Sequence, residues 1–184
     1  PVKGLTLEQI KDIYTAEDDG RGKIKMWSAV GGEERPVRAL TRNHNSGSQE
    51  TMKSLVMKDR TMVSAPSMVG GGMAGPYNLL HSHHGGIGFT FFYYQKHMSP
   101  PWGSAPWRKQ KAPRRPPVAM LAIDGVQPTR KTIADGTYPL LTEVYVVARK
   151  DLDPEHPAAK LRDWLLTAEG QAVIGETGYI PLTH

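Results

Sequence analysis

The stretch PVRALTRNHNSGSQETMKSLVMK, residues 36–58, decides the fold because it passes from a strand pattern through a polar loop into a helix pattern. Pro36–Thr41 predicts a short strand. Gln49–Lys58 predicts a helix whose inward face carries Met52, Leu55 and Val56. A strand that leads through a short loop into a helix is the building unit of α/β folds.

The loop between these two elements, Arg42–Ser48, has the chemistry of an anion site. The N-terminus of a helix presents backbone N–H groups that have no partner within the helix, together with the positive end of the helix dipole. Ser46 is the predicted N-cap, and Gln49 three residues later completes a capping-box pattern. Gly47 lets a ligand approach the backbone closely. Ser48 adds a hydroxyl donor, and Arg42 adds a two-pronged donor suited to an oxyanion. The alternative interpretation is an ordinary capped helix start.

Strands and helices alternate along the rest of the chain, which predicts an α/β fold with a mixed or mainly parallel sheet. Thr6 is the predicted N-cap of a helix that ends near Tyr14. Further helices are predicted at 129–134, 157–166 and 169–176. Leu161 lies on the predicted apolar side of the helix at 157–166. Strand-like runs lie at 87–94, 118–123 and 143–148. The predicted organisation is a ligand-binding region over residues 1–136, followed by a return strand and C-terminal helices over 137–184.

Composition excludes several classes of protein. The 184 residues suffice for one domain, and 39% of them are hydrophobic, which permits a packed core. The chain contains no cysteine, so disulfide scaffolds, thiol catalysis and cysteine-ligated metal sites are excluded. No apolar run reaches the length of a membrane-spanning helix. The first residues show no signal-peptide pattern, which fits either a cytoplasmic chain or a trimmed form of an exported one.

The net charge of +5 comes from one segment, Lys96–Pro117, which holds six basic residues and no acid. Its six prolines predict an exposed, irregular and mobile segment. Basic residues interleaved with Trp102 and Trp107 are also typical of single-stranded nucleic-acid binding. The alternative function is therefore a nucleic-acid or acidic-partner module that acts through Lys96–Arg115.

Other candidate sites are weaker. His81, His83 and His84 form a cluster with no carboxylate or further ligand nearby, so we expect a surface cluster and no metal. His44 and Ser46 could be imagined as a base and a nucleophile, but their separation in a loop gives no reason to expect that geometry. No catalytic or nucleotide-binding motif is present. The sequence therefore predicts a protein that is not an enzyme and needs no cofactor.

Ordered blocks over most of the chain resemble one family, the phosphate-binding proteins of phosphate ABC transporters. The N-terminal blocks are Leu5–Tyr14, Trp27, Gly31-Gly32 and Arg42-x-x-x-Ser46-Gly47-Ser48. The central blocks are Gly85–Phe89, Tyr93-Tyr94 and Leu121–Val126. The C-terminal blocks are Tyr138-Pro-Leu140, Val144–Val147, Trp164–Leu166, Glu169–Gln171 and Gly178–Leu182.

The resemblance implies a two-lobed, type 2 periplasmic binding fold that closes on phosphate at a hinge. It implies an extracytoplasmic protein, periplasmic or extracellular, that delivers phosphate to a membrane permease. It places Arg42, Ser46, Gly47 and Ser48 in the family's phosphate loop. Family members begin with a first-lobe segment that supplies further ligand groups, and the resemblance implies that this chain starts after it. The Lys96–Pro117 segment is longer and more basic than the usual family connection.

Overall fold

The computed structural model describes residues 2–43, 45–64, 68–69, 75–80, 83–97 and 118–182. The chain divides into two compact units, which we call unit 1 (Pro1–Pro128) and unit 2 (Thr129–His184). The functional division predicted at residue 136 concerns ligand binding, and it stays a prediction.

Unit 1 alternates short strands and helices, as its sequence predicts. Its strands are β1 (Gly4–Leu5), β2 (Arg38–Ala39), β3 (Thr41–Arg42), β4 (Met68–Val69), β5 (Gly86–Ile87) and β6 (Ala122–Ile123). Its α-helices are α1 (Leu7–Tyr14), α2 (Gly47–Met52), α3 (Gly75–Leu80) and α4 (Phe92–His97). A 3₁₀ turn covers Trp27–Val30, and a π-helical turn, Lys53–Met57, continues α2.

The strands of unit 1 form three parallel pairs. β1 pairs with β6, β2 with β5 and β3 with β4. In the first pair Gly4 lies opposite Ala122, and in the third Arg42 lies opposite Val69. Parallel neighbours require crossover connections rather than tight hairpins. The prediction of a mainly parallel α/β architecture is therefore confirmed in the described part of unit 1.

Helix α1 begins where the sequence predicts, because its first N–H groups find local and distant acceptors. The Thr6 hydroxyl accepts from the backbone N–H of Gln9 at 3.1 Å, and the Gln9 side chain accepts from the N–H of Thr6 at 2.8 Å. This reciprocal pair is a capping box. A third donor, the Leu7 N–H, reaches the Asp124 carboxylate at 3.0 Å. The turn after β6 thus completes the N-terminus of α1.

The core of unit 1 forms where α1 packs against the π turn. The largest fully buried side chains are Ile13, Tyr14, Val56 and Met57. The Tyr14 hydroxyl donates to the Ile87 carbonyl at 3.0 Å, and its ring meets Phe89 edge-on. Burial raises the pKa of the Tyr14 hydroxyl far above its usual value. Tyr14 therefore remains neutral while it ties α1 to the β2–β5 pair.

The π turn changes which side chains are buried in the helix that follows the loop, so part of the predicted inward face is wrong. Met52 and Val56 are buried as predicted, but Leu55 is 37% exposed, and Met57 is buried in its place. A π turn holds one more residue than an α turn and so moves the following side chains around the axis. A helical repeat of 3.6 residues does not include this extra residue, so it predicts that Leu55 rather than Met57 is buried.

Unit 2 contains three helices and no strand within its described residues. They are α5 (Arg130–Ala134), α6 (Pro157–Leu165) and α7 (Ala168–Thr177). Thr129 caps α5 and Thr167 caps α7, whereas Gly178 ends α7 with a φ of 103°. The Arg130 guanidinium donates to the carbonyls of Gly178 and Tyr179 at 3.1 and 3.2 Å. The three predicted helices are confirmed, with ends within a residue or two of expectation.

Two predicted strands are wrong. Residues 143–148 belong to no strand and form no bridge within the described part of the chain, and they are largely exposed. The aromatic run at 87–94 is a strand only at its first residue, because Phe92 begins α4. β-prone residues form a strand only where a neighbouring strand completes the ladder. The predicted apolar position of Leu161 is also wrong, since this side chain is 55% exposed.

The basic segment lies mostly outside the described residues. Its first residue, Lys96, belongs to α4, which corrects the prediction that the irregular segment starts there. Residues 98–117, with both tryptophans, and His81 also fall outside. The exposure and mobility of this segment stay predictions.

Candidate functional site

The predicted anion loop, Arg42–Ser48, spans the junction of β3 and α2, but it is shorter than predicted, because β3 extends through Arg42 and α2 begins at Gly47. β3 ends at Arg42, a residue that is only 8% exposed. The backbone N–H of Arg42 donates to the side-chain Oε1 of Gln49 at 2.9 Å. This contact ties the end of the strand to the first turn of the helix and closes the loop. The position of Arg42 at the start of the loop is therefore fixed both by this hydrogen bond of its backbone and by the burial of the residue.

Ser46 occupies the N-cap position of α2, but it does not form the predicted capping box. Its hydroxyl makes no side-chain cap bond and instead lies 3.0 Å from the hydroxyl of Ser48. The Gln49 side chain is oriented away from Ser46: its Oε1 accepts from Arg42 and its amide donates to the Met62 sulfur at 3.2 Å. The predicted cap position of Ser46 is confirmed, and the predicted hydrogen bonds of the cap are wrong.

The two serine side chains form a compact pair of hydroxyls at the start of the helix. Ser46 and Ser48 are each about nineteen-twentieths buried, with exposures of 6% and 5%. Hydroxyl groups both donate and accept, so a pair in mutual contact can rotate to donate to a third oxygen. The pair lies in the helix turn where backbone N–H groups lack intrahelical carbonyls. Several donors therefore converge within three residues.

Gly47, between the two serines, is exposed, as are Asn43 and Asn45 earlier in the loop. A Cβ built at this position meets no atom within 4 Å other than those of its chain neighbours and of its own helix backbone. The fold therefore does not require glycine here for packing. The backbone of Gly47 therefore faces open space.

A second feature of unit 1, a surface groove of about 260 Å³, contains none of these loop residues. Its apolar wall includes Ile13 and Leu40, and its rim carries Arg21, Lys25 and Arg38. Two of these cations already contact Asp19, with Lys25 at 2.7 Å and Arg21 at 3.4 Å. This groove is thus separate from the predicted anion loop.

Two members of the predicted histidine cluster, His83 and His84, lie within the described residues. Nδ1 of His83 lies 3.0 Å from the Leu79 carbonyl. No group of three metal-ligating side chains occurs among the described residues.

None of the helices described is both long and apolar enough to cross a membrane.

Comparison with known families decides the relationship of the fold. A family model described as a PBP superfamily domain matches residues 1–169. The chain belongs to the PBP superfamily. This membership confirms the predicted α/β fold of the periplasmic-binding-protein type.

Curated relatives within the PBP superfamily match almost the whole chain. The phosphate-binding protein PstS of Bacillus subtilis is 24% identical over 183 residues, which cover 99% of this chain and 52% of that protein. PstS of Staphylococcus epidermidis is 23% identical over 97% of this chain and 50% of its own length. The chain spans about half the length of the curated relatives it matches.

Solved structures share the PBP-type fold at low sequence identity. A phosphate ABC transporter substrate-binding protein from Clostridium perfringens, solved with bound phosphate, has a TM-score of 0.67 at 22% identity. The alignment covers 100% of this chain and 65% of that one. PstS from Borrelia burgdorferi has a TM-score of 0.66 at 17% identity, with the same two coverages.

Sequence reasoning missed the residues that hold the loop in shape. Gln49 was assigned to a cap but links Arg42 to Met62 across the loop. Thr51 was not singled out, although its hydroxyl donates to the Gly47 carbonyl at 2.8 Å. The Thr51 contact has a signal at spacing four, because threonine in a helix often donates to the carbonyl one turn back. The Met62 contact has no signal in the sequence.

Proposed function

We propose that this chain binds inorganic phosphate, or a related tetrahedral oxyanion, through Arg42, Ser46, Gly47 and Ser48. It acts as an extracytoplasmic solute-binding protein, periplasmic or extracellular, that passes the ion to the membrane permease of an ABC transporter. No catalysis, metal or cofactor is involved. The names of the curated relatives and the phosphate-bound neighbour support this assignment.

The observation that carries the proposal is the convergence of donors at the β3–α2 loop. The buried Arg42 supplies positive charge at the end of the strand, and the hydroxyls of Ser46 and Ser48 touch each other at 3.0 Å. Hydrogen bonds to a charged oxyanion are about twice as strong as those between neutral groups. A tetrahedral oxyanion above Gly47 can accept from both hydroxyls and from the backbone at the helix start.

Calorimetric titration of the 184-residue chain with phosphate tests the proposal. Arg42→Ala should weaken binding about ten- to hundredfold, the scale of a lost hydrogen bond to a charged group. Ser48→Ala should cost less, because one hydroxyl is lost and the backbone donors remain. Absence of binding by the parent chain contradicts the proposal for these residues, and the titration is then repeated on a longer chain.

Gly47→Ala is the sharpest variant, because it separates binding from folding. The added methyl group meets no protein atom, so the unfolding free energy should not fall. It occupies the space proposed for the ion, so phosphate affinity should drop at least tenfold. Unchanged affinity would place the ion elsewhere.

Lys109→Ala is the matched control for the alternative function, a module that acts through Lys96–Arg115. The sequence predicts that this segment is exposed, and exposed charges are screened and contribute little to a buried anion site, so this variant should bind phosphate normally. Binding of nucleic acid or an acidic partner through the basic segment would fall steeply with added salt because of counterion release. A larger loss for Lys109→Ala than for Arg42→Ala would favour the alternative.

A further inference from the structure

One buried side chain, Gln49, joins the candidate phosphate loop to a methionine. Gln49 is 5% exposed, and its Oε1 accepts from the backbone N–H of Arg42 at 2.9 Å. Because a backbone N–H can only donate, the oxygen of the side-chain amide faces Arg42 and the NH₂ group faces the other way. There it donates to the Met62 sulfur at 3.2 Å. Gln49 therefore bridges the end of β3 and Met62 in one defined orientation.

The Met62 sulfur is the weaker of the two partners of Gln49. A thioether sulfur is a weak acceptor, whereas a backbone N–H is a strong donor. The described residues offer the buried Gln49 amide no acceptor other than this sulfur. A buried donor that loses its acceptor is costly. The orientation of Gln49 therefore depends on a single weak contact.

The backbone around Met62 is fixed, whereas its side chain is only half-buried. Met62 forms an antiparallel bridge with Thr15 at the end of α1, and the Val63 N–H donates to the Tyr14 carbonyl at 2.8 Å. Met57, by contrast, is buried, with an exposure of 1%. A methionine side chain has three rotatable bonds, so its sulfur can turn while the backbone stays in place. Partial exposure also makes the Met62 sulfur susceptible to oxidation.

We propose that oxidation of Met62 to methionine sulfoxide releases Gln49 and thereby weakens oxyanion binding at Arg42. This inference rests on the proposed function and adds a regulator of the same site, a peroxide. A lone pair of the sulfur attacks one oxygen of hydrogen peroxide. The S–O bond forms as the O–O bond breaks, and the second oxygen leaves as water after proton transfer. The sulfur is oxidised by two electrons, and the peroxide is reduced.

The sulfoxide of Met62 does not preserve the contact with Gln49. Nitrogen and sulfur already lie at hydrogen-bond distance, so no oxygen atom fits between them. The sulfoxide group is polar, and a polar group without a buried partner is more stable in water. Rotation of the group toward solvent leaves the Gln49 amide without its acceptor. The Gln49 side chain then no longer has a fixed orientation toward the Arg42 N–H.

Calorimetric titration with phosphate, before and after treatment with hydrogen peroxide, measures the coupling. Oxidation should weaken binding by the parent chain about fivefold, the scale of one lost hydrogen bond between neutral groups. Methionine sulfoxide reductases should restore the affinity, because this modification is reversible. Peptide mass spectrometry verifies that Met62 carries the added oxygen. A parent chain whose affinity survives oxidation of Met62 overturns the inference.

Two leucine variants assign the effect to one methionine among the eight of the chain. Met62→Leu has no sulfur at this position, so peroxide should leave its affinity unchanged relative to its own untreated form. Met26→Leu is the matched control, because Met26 is also half-buried in unit 1 but forms its backbone bridge with Pro36. It should lose affinity on oxidation as the parent does. Equal protection by both variants overturns the assignment to Met62.

Hydrogen exchange of the Arg42 amide distinguishes failure of this inference from failure of the proposed function. Oxidation should speed exchange of this amide about fivefold in the parent and should not change it in Met62→Leu. Phosphate binding with unchanged exchange after oxidation overturns the inference and leaves the proposed function in place. A parent chain that binds no phosphate overturns the proposed function together with the inferred regulation. Faster exchange would then still show that Met62 controls Gln49.

Discussion

Units 1 and 2 differ in how far their apolar side chains are buried. Unit 1 buries large side chains such as Ile13, Tyr14, Val56 and Met57 almost completely. In unit 2 the one buried hydrophobic residue among those described is Ala159. The large exposed apolar residues of its described part are Leu141, Val144, Tyr145, Val146, Val147, Leu161, Leu166, Val173 and Leu182. The described part of unit 2 therefore has helices that bury few large side chains.

The difference teaches that local and long-range interactions are separable in this chain. Both units contain capped helices, with Thr6 in unit 1 and Thr167 in unit 2. Such caps depend on residues within one turn and form in either setting. Burial of apolar area depends on distant partners, and it supplies most of the stability of a folded domain. Unit 1 has those partners, and the described part of unit 2 does not.

Truncation of a core side chain should produce the largest contrast between the units. Ile13→Ala should lower the free energy of unfolding by about 2–5 kcal/mol, because the side chain is 1% exposed and leaves a cavity. Leu161→Ala in α6 should change it by no more than about 0.5 kcal/mol. Urea unfolding followed by circular dichroism measures both. Equal losses would mean that Leu161 is buried in solution.

Alkaline pH should destabilise unit 1 through Tyr14. Above about pH 10 a tyrosine of the unfolded chain loses its proton, whereas buried Tyr14 keeps its own because burial raises its pKa. The unfolded state then binds fewer protons, so the free energy of unfolding falls by about 1.4 kcal/mol per pH unit.

Tyr14→Phe should remove this slope, at the cost of about 1 kcal/mol at neutral pH for the lost hydrogen bond to Ile87. Tyr138→Phe is the control in unit 2, where partial burial raises the pKa of the Tyr138 hydroxyl less completely. Its effect on the slope should be smaller. Chemical unfolding at pH 8 and at higher pH compares the three proteins, and parallel slopes for parent and Tyr14→Phe would refute the assignment.

Loss of an N-cap should cost the two units similar amounts. Thr6→Ala and Thr167→Ala each remove a hydroxyl that accepts from the first turn of a helix, worth about 1 kcal/mol. Hydrogen exchange of amides in α1 and α7 should each become about fivefold faster. Serine at either position is the control and should preserve slow exchange. A large effect in one unit alone would show that the cap of that unit also stabilises contacts outside its own helix.

The smallest effect should come from acid. Glu8 hydrogen-bonds Arg60 and Lys11, and these cations hold the pKa of its carboxyl below the usual value. The resulting stability is present at neutral pH and is lost as pH falls through the lowered pKa. Glu8→Gln should therefore narrow slightly the difference in Tm between pH 7 and pH 3. High salt should shrink this effect further, and an effect that persists in high salt would contradict a surface origin.

Most of what the sequence predicts correctly is local. The capping box at Thr6, the helix start at Thr129 and the stop at Gly178 each involve neighbours within a few residues. The strand predicted at 143–148 fails because no side-chain pattern reveals whether a second strand is present. Leu55 fails because the π turn adds one residue to the helical repeat.

The candidate site divides in the same way. Its position at a junction of strand and helix follows from the pattern around Arg42 and Ser48, although Arg42 belongs to β3 and Ser48 to α2 rather than to the loop. Its hydrogen bonds do not follow, because Gln49 finds Met62 thirteen positions later in preference to the nearby cap. That choice depends on how α2 packs, which a spacing rule does not contain.

The contacts of β1 impose an order in time on the making of this protein. The Leu7 N–H at the start of α1 cannot form its hydrogen bond until Asp124, 117 positions later, has been synthesised. In the same way, β1 cannot pair until β6 has been synthesised. A ribosome adds about 5–20 residues per second, so this interval lasts about 6–23 s. Through that time the edge of β1 and the apolar face of α1 stay open to other chains. These two elements therefore reach their final contacts later than elements whose partners lie nearby in the sequence, and chaperones limit their association with other chains.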